Sequence, residues 1–336
     1  MKKLLAIVSA ALMLVSCGSV PEQKHTRTLF CMDTYMTLTA YGDKADEALR
    51  SACDAMEILD EEWSVTNPNS EIYAANHAEG KTVPISEETE HIIKFAKEIS
   101  QQTDGALDIT IFPVLQLWGF TTDNYRVPDD SEIQKLLESV DCSKIIADNG
   151  SLKLPSDMML DLGSVAKGYA AKAAADVLKM NGIKSAILDL GGNIQTIGLK
   201  PDGSEWNIGI RDPGADGIVG TVSVEDRSVV TSGGYERFFT QDGVTYHHIL
   251  DPKTGKPANN GFTSVTIIGE DGVNCDALST SLFIMGPDKA EEYWKQQGGF
   301  DYIGITDSGE LILTKSIADS FKLDSDHMGV KMTFVE

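Results

Sequence analysis

The sequence predicts an α+β fold, with mixed sheets flanked by helices. Three observations predict it. Long segments with helical apolar spacing fall mainly in the first half, at 43–62, 86–102 and 165–180. From 185 onward the text turns to short β-rich runs bounded by Gly, Asn and Asp. The order never settles into the regular β–α alternation that a parallel sheet requires.

Taken in order, residues 28–41 alternate and are rich in Thr and aromatics, which predicts a strand. The 43–62 helix carries apolar positions at Ala48, Cys53, Met56 and Leu59. Residues 63–70 (WSVTNPNS) read as a loop. Ser86 is the expected N-cap of the 86–102 helix, followed by its acidic first turn. A helix is expected at 131–140 and a hairpin over 144–161. The Ala-rich helix 165–180 closes on Asn181-Gly182, a C-cap signal. Strands are expected at 185–190, 194–199, 206–211, 218–224, 227–231, 236–241, 244–250 and 263–268. Helices 275–285 and 288–297 and strands 302–306 and 310–314 complete the list. No internal repeat is evident.

The N-terminus carries its own signal. Lys2 and Lys3 precede an uncharged apolar run, 4–15, too short for a permanent span but suited to a secretory signal. It ends in Leu14-Val15-Ser16-Cys17, which resembles the lipobox of bacterial lipoproteins. The expected organisation is a signal peptide at 1–16, a lipidated Cys17 with a polar tether to 27, and one domain over 28–336. The expected location is outside the cytoplasm, attached to a membrane through the lipid. The plain alternative is an ordinary cleaved signal with an incidental cysteine.

The net charge is −23, and −25 once Lys2 and Lys3 are removed. So acidic a surface argues against nucleic acid as a partner. An anionic ligand must be held by local devices: a metal, backbone N–H groups or a placed lysine. The other cysteines, Cys31, Cys53, Cys142 and Cys275, are widely spaced with no CxxC. Their spacing does not suggest zinc, and disulfide pairing cannot be read from it.

Five segments carry candidate chemistry. Asp161-Leu162-Gly163-Ser164-Val165-Ala166-Lys167-Gly168-Tyr169 is expected at a strand-to-helix junction, where free N–H groups and Lys167 suit a phosphate. Gly191-Gly192-Asn193 follows a strand and permits close backbone approach. Thr231-Ser232-Gly233-Gly234-Tyr235-Glu236-Arg237 offers small hydroxyls. His248 ends a strand before the turn-forming Asp251-Pro252-Lys253-Thr254-Gly255, where a base can sit. Asp276 and Thr280 stand four apart on a helix, so two oxygens share a face, a pattern that suits Mg²⁺. Asp108, in the 103–110 segment, is a further acid. Each segment alone also has a plain reading as a turn, cap or polar helix position.

Together and in this order they resemble the FAD:protein FMN transferases, the ApbE-type flavin transferases. The resemblance runs from about 28 to 283. It also rests on Met32-Asp33-Thr34, on Trp63-Ser64 and on Pro68-Asn69-Ser70-Glu71-Ile72. It implies an ApbE-like fold with the FAD site between sub-domains. It implies Asp276, Thr280 and a backbone carbonyl near Ser164 as ligands of Mg²⁺ (Mn²⁺ also fits). Lys167, Met32, Asp104 and Asp108 would hold FAD, with Gly191, Gly192, Asn193, Ser232 and Gly233 lining the site. A threonine of a target protein would attack the FMN-side phosphorus and release AMP, with His248 positioning or deprotonating the hydroxyl. Acceptors are expected among membrane redox subunits.

Two departures stand out. The family's Met-Gly-Thr is here Met32-Asp33-Thr34, and its Tyr or Asn after the Trp63-Ser64 equivalent is here Thr66-Asn67. The second leaves FAD hydrolysis open beside transfer. A non-catalytic flavin-binding lipoprotein is the third reading; the intact Lys167, Asp276 and Thr280 speak against it.

Overall fold

A computed structural model describes residues 23–336. Cys17 and the signal at 1–16 lie outside the described residues. No described helix is long and apolar enough to cross a membrane.

The chain opens with a hairpin, not one strand. β1 (Lys24–Cys31) and β2 (Thr34–Tyr41) pair antiparallel, with Cys31 opposite Thr34. Met32 and Asp33 form the two-residue turn at φ 50° and 58°, the double positive φ of a type I′ turn. No glycine marks that turn, so the alternation reads straight through it. β1 also begins at Lys24, which places residues 24–27 of the expected tether in the sheet.

α1 (Ala45–Trp63) buries Ala45, Ala48, Leu49, Ala52, Met56, Leu59 and Trp63 along one stripe. α2 (Glu71–Asn76) lies directly after the expected loop and is capped by Ser70, whose hydroxyl accepts from Tyr73 N–H at 2.9 Å. β3 (Thr82–Pro84) precedes α3 (Glu87–Gln102), where Ser86 caps as expected. α4 (Phe112–Trp118) is an additional helix, stopped by Gly119 in the left-handed region. α5 (Asp130–Leu137) is shorter than predicted. The expected 144–161 hairpin contracts to β4 (Ile146–Asp148) and β5 (Ser151–Lys153), with β3 on the other side of β5.

α6 (Ala166–Met180) follows. Next come β6 (Ala186–Asp189), β7 (Asn193–Ile197), β8 (Trp206–Arg211), β9 (Ile218–Val224) and β10 (Ser228–Gly233). β11 (Phe238–Gln241) and β12 (Val244–His247) form a hairpin, and β13 (Leu250–Asp251) pairs with β14 (Lys256–Pro257). β15 (Phe262–Gly269), α7 (Gly272–Met285), α8 (Pro287–Gln297), β16 (Asp301–Thr306) and β17 (Leu311–Thr314) precede two strands the sequence did not announce, β18 (Phe321–Leu323) and β19 (Met332–Val335).

The α+β expectation holds. Nine strands form one sheet in the order β1-β2-β6-β7-β10-β15-β16-β17-β19, antiparallel except for β17–β19. A three-stranded sheet, β18-β9-β8, packs Trp206, Ile208, Val222 and Phe321 with Val229, Ile303 and Ile305 of the large sheet. On the helical side, α6 packs against α1 and α7, and its buried alanines (Ala170, Ala171, Ala174) are small enough for close approach. α7 is apolar almost all round and buries Leu278, Leu282 and Phe283, as expected of a core helix. Each such side chain contributes roughly 1.5–3 kcal/mol. The four described cysteines are free thiols.

Candidate functional site

The site forms where α6 meets α7. Gly168, in the first turn of α6, has space for no side chain. A Cβ there would lie 2.3 Å from the Gly272 carbonyl oxygen and 2.7 Å from Asp276 Cβ. Gly272 answers it across the interface: a Cβ there would lie 3.0 Å from Ser228 Oγ and 3.2 Å from the Gly168 carbonyl oxygen. This backbone contact lets the Gly168 N–H donate to Asp276 Oδ2 at 2.8 Å. One carboxylate oxygen is thereby fixed, and helix-end N–H groups are the donors that favour an anion.

Asp276 is 4% exposed. Burial pushes its carboxyl above the ordinary value, while Lys167, the Gly168 N–H and the Asn193 amide pull it down. It is not the cap of α7; that is Asp271, which accepts from Asn274 N–H at 3.0 Å. Thr280 follows one turn later, with its hydroxyl 3.2 Å from Ser232 Oγ at the end of β10. Ser232 also meets Ser279 at 2.8 Å. Ser164 lies in the turn before α6, and Lys167 reaches back to the Gly163 carbonyl at 3.5 Å.

The approach to α6 differs from expectation. No strand precedes it: residues 154–163 are irregular, held where Asp161 N–H donates to the Ile109 carbonyl at 2.9 Å. The Asp161 carboxylate then accepts from Gly163 N–H at 2.8 Å. Burial raises its pKa against the opposing charges of Arg237 and Lys167.

His248 lies one residue past β12, half-buried, with Nδ1 3.2 Å from the Arg237 carbonyl. Burial, then the Arg237 charge, hold its pKa well below the ordinary histidine value. Lys167 acts in the same direction, so His248 and Asp161 face the same two cations. Sequence reasoning assigned no role to Asp161 or Arg237, although both lie inside the segments it singled out. Their convergence is a tertiary fact. Arg237 is held in place by the Phe120 carbonyl, which accepts from its guanidinium.

The glycine turn borders this constellation. Gly191 and Gly192 take φ 67° and 93° between β6 and β7, and Gly192 N–H donates to Asp189. A Cβ on Gly191 would lie 2.3 Å from Thr34 Oγ1, so the turn abuts the β1–β2 hairpin. In that hairpin, Met32 N–H donates to Asp60 Oδ1 at 3.1 Å.

The two other acids are occupied differently. Asp108 accepts from Thr110 N–H (2.8 Å), Thr110 Oγ1 (2.6 Å) and Cys142 N–H (3.0 Å), so its carboxylate anchors a loop. Asp104 is exposed and pairs with Lys253 at 2.5 Å. Both flank a recess of about 650 Å³ lined by Lys97, Gly105, Asp108, Cys142, Pro252 and Lys253. None of Ser164, Lys167, Asp276 or Thr280 lines it; the candidate site at the α6–α7 junction is separate from this recess.

Among the described residues no three His, Cys, Asp or Glu side chains cluster as a metal cage. The residues present fit a different donor set. One buried carboxylate and a hydroxyl on the same helix face suit a hard cation that takes few protein ligands and keeps water and substrate oxygens.

The comparisons define the class first. A sequence profile of the ApbE family matches residues 32–303. The ApbE protein of Thermotoga maritima superposes with a TM-score of 0.83 at 32% identity, over 89% of this chain and 99% of that one. The apo Pseudomonas stutzeri flavinyl transferase ApbE superposes with a TM-score of 0.80 at 28% identity, over 92% and 98%. A FAD:protein FMN transferase of Klebsiella pneumoniae is 35% identical over 86% of this chain and 92% of its own length. The chain belongs to the ApbE family.

Proposed function

We propose that this protein transfers FMN from FAD to a threonine hydroxyl of a target protein and releases AMP. The observation that carries the reading is the buried Asp276, pinned by Gly168 N–H beside Lys167 with Thr280 on the same helix face. That is a site for a diphosphate and a divalent cation. Curated relatives bearing the name FAD:protein FMN transferase support the reaction class.

In the proposed step the threonine Oγ–P bond forms as the bond from the FMN-side phosphorus to the bridging oxygen breaks. AMP departs with that oxygen, and the hydroxyl proton passes to solvent while His248 positions the hydroxyl. Mg²⁺, held by Asp276, Thr280 and a carbonyl near Ser164, would neutralise the diphosphate and stabilise the leaving phosphate. Lys167 supplies a fixed positive charge. His248, kept neutral by its surroundings, retains a lone pair to accept a hydrogen bond from the attacking hydroxyl. The Asp104–Asp108 stretch, Met32, Gly191, Gly192, Asn193, Ser232 and Gly233 would line the FAD site.

We further propose that Cys17 carries a lipid and that the enzyme works outside the cytoplasm on membrane redox subunits. Anchoring would raise the effective concentration of enzyme and acceptor.

One incubation separates this from its rivals. With FAD, Mg²⁺ and an acceptor protein, transfer yields AMP and protein-bound flavin. Hydrolysis yields AMP and free FMN. Absence of AMP refutes both enzymatic readings and leaves a flavin-binding protein.

A further inference from the structure

Asn193 stands out beside the catalytic constellation. It is 2% exposed, and neither Oδ1 nor Nδ2 has a hydrogen-bond partner. Its backbone is held on both sides. The carbonyl accepts from Leu190 N–H at 2.9 Å to close the glycine turn, and the residue pairs with Val230 of β10. Turn and sheet together therefore fix where the side chain goes. Two residues before Gln195 on β7, it shares the face from which Gln195 Oε1 would meet a Cβ on Gly272 of α7 at 3.3 Å. On that face its amide lowers the Asp276 carboxyl, although neither of its polar atoms makes a hydrogen bond of good geometry.

A buried amide with no partner opposes folding. An apolar side chain of the same size would relieve this, so packing does not explain an asparagine here. The amide has one acceptor and two donors. A cation surrounded by phosphate oxygens needs both kinds of neighbour: an oxygen for its shell or its waters, and an N–H for a phosphate oxygen. Asp276 cannot fill both roles, because a carboxylate only accepts and Gly168 N–H already engages one of its oxygens.

We propose that the Asn193 amide is a binding group for the metal-bound diphosphate, which supplies the partners that the protein's own groups do not give it. This rests on the flavin-nucleotide reading above and names the residue that senses whether the metal-bound diphosphate is present.

The test uses the full chain, Mg²⁺ and FAD, with thermal unfolding and equilibrium binding as readouts. Asn193→Leu is expected to keep or raise the melting temperature without ligand, and to weaken Mg²⁺-dependent FAD binding at least tenfold. Loss of several degrees with unchanged binding would make Asn193 structural and overturn the inference. Asn193→Asp is the second variant, independent of whether leucine is tolerated. It sets a second carboxylate beside Asp276, so the metal-free protein should melt lower, and Mg²⁺ alone should stabilise it more than it stabilises the wild type. Indifference of that variant to Mg²⁺ overturns the inference. If the wild type binds FAD with Mg²⁺ and Asn193→Leu binds it equally, only this inference falls. If the wild type shows no such binding, the functional reading falls with it.

Discussion

Replacing Gly168 with alanine tests the α6–α7 contact on which the site depends. The new Cβ would sit 2.3 Å from the Gly272 carbonyl oxygen and 2.7 Å from Asp276 Cβ. Ordinary C···O contacts begin at about 3.3 Å, so the helices must separate by about 1 Å. Overpacking of this kind costs about 1–3 kcal/mol, against which alanine returns at most about 1 kcal/mol of helix propensity. With the full return the net cost is up to about 2 kcal/mol, and at roughly 2–4 °C per kcal/mol the melting temperature should fall by up to about 8 °C. Activity should fall further than stability. The same displacement pulls the 2.8 Å anchor off Asp276 and moves Lys167 away from it. A 1 Å misplacement of reacting groups costs about a hundredfold. Calorimetry and AMP release from FAD with Mg²⁺ read the two effects. A Gly168→Ala protein as stable and as active as the wild type would refute the close approach.

Three further outcomes follow from the same geometry. Gly191→Ala combines a positive φ with a Cβ 2.3 Å from Thr34 Oγ1, so it should destabilise by about 1–3 kcal/mol; Thr34→Ala should recover part of that in the double mutant, and full additivity would contradict the contact. Burial raises the Asp276 pKa, so the neutral acid's contribution to stability is present at low pH and lost as pH rises through the folded-state value. A cation must displace that proton, so Mg²⁺ affinity should fall with falling pH, and calorimetric titration of Asp276→Asn should show weaker binding without that dependence. For His248 the pKa is lowered, so stability from the neutral ring is complete above about 6.5 and declines as pH falls toward the folded value. Its imidazole resonances should show no titration near 6.5; a ring that protonates there would contradict the burial and cationic surroundings described.

Local features were legible and convergent ones were not. Asp276 and Thr280 could be paired from the sequence because helical spacing alone puts i and i+4 on one face. Ser86 could be named a cap because its signal lies within four residues. The Met32–Asp33 turn was hidden because neither residue is glycine, although both adopt positive φ. α4 was hidden because FPVLQLW is a short apolar run that spacing alone does not separate from a buried strand, although Pro113 in its first turn and Gly119 after it mark its ends. The junction before α6 was misread because its irregular backbone is held by a distant partner, Ile109, rather than by a strand neighbour. Asp108 illustrates the converse. Its segment was found, but two donors from Thr110 and the distant Cys142 N–H engage its carboxylate. The unsatisfied amide of Asn193 and the cations shared by Asp161 and His248 depend on elements far apart in sequence, so no local pattern announces them.

The most direct test of the account follows oxygen through the reaction. FAD, Mg²⁺ and an acceptor protein are incubated with the enzyme in [¹⁸O]water, and AMP and the flavin product are examined by mass spectrometry. Attack by a threonine on the FMN-side phosphorus predicts AMP and threonine-linked FMN in equal amounts, both free of solvent oxygen. Free FMN bearing ¹⁸O would show water as the acceptor. Label in AMP would show attack at the other phosphorus and contradict the assigned geometry.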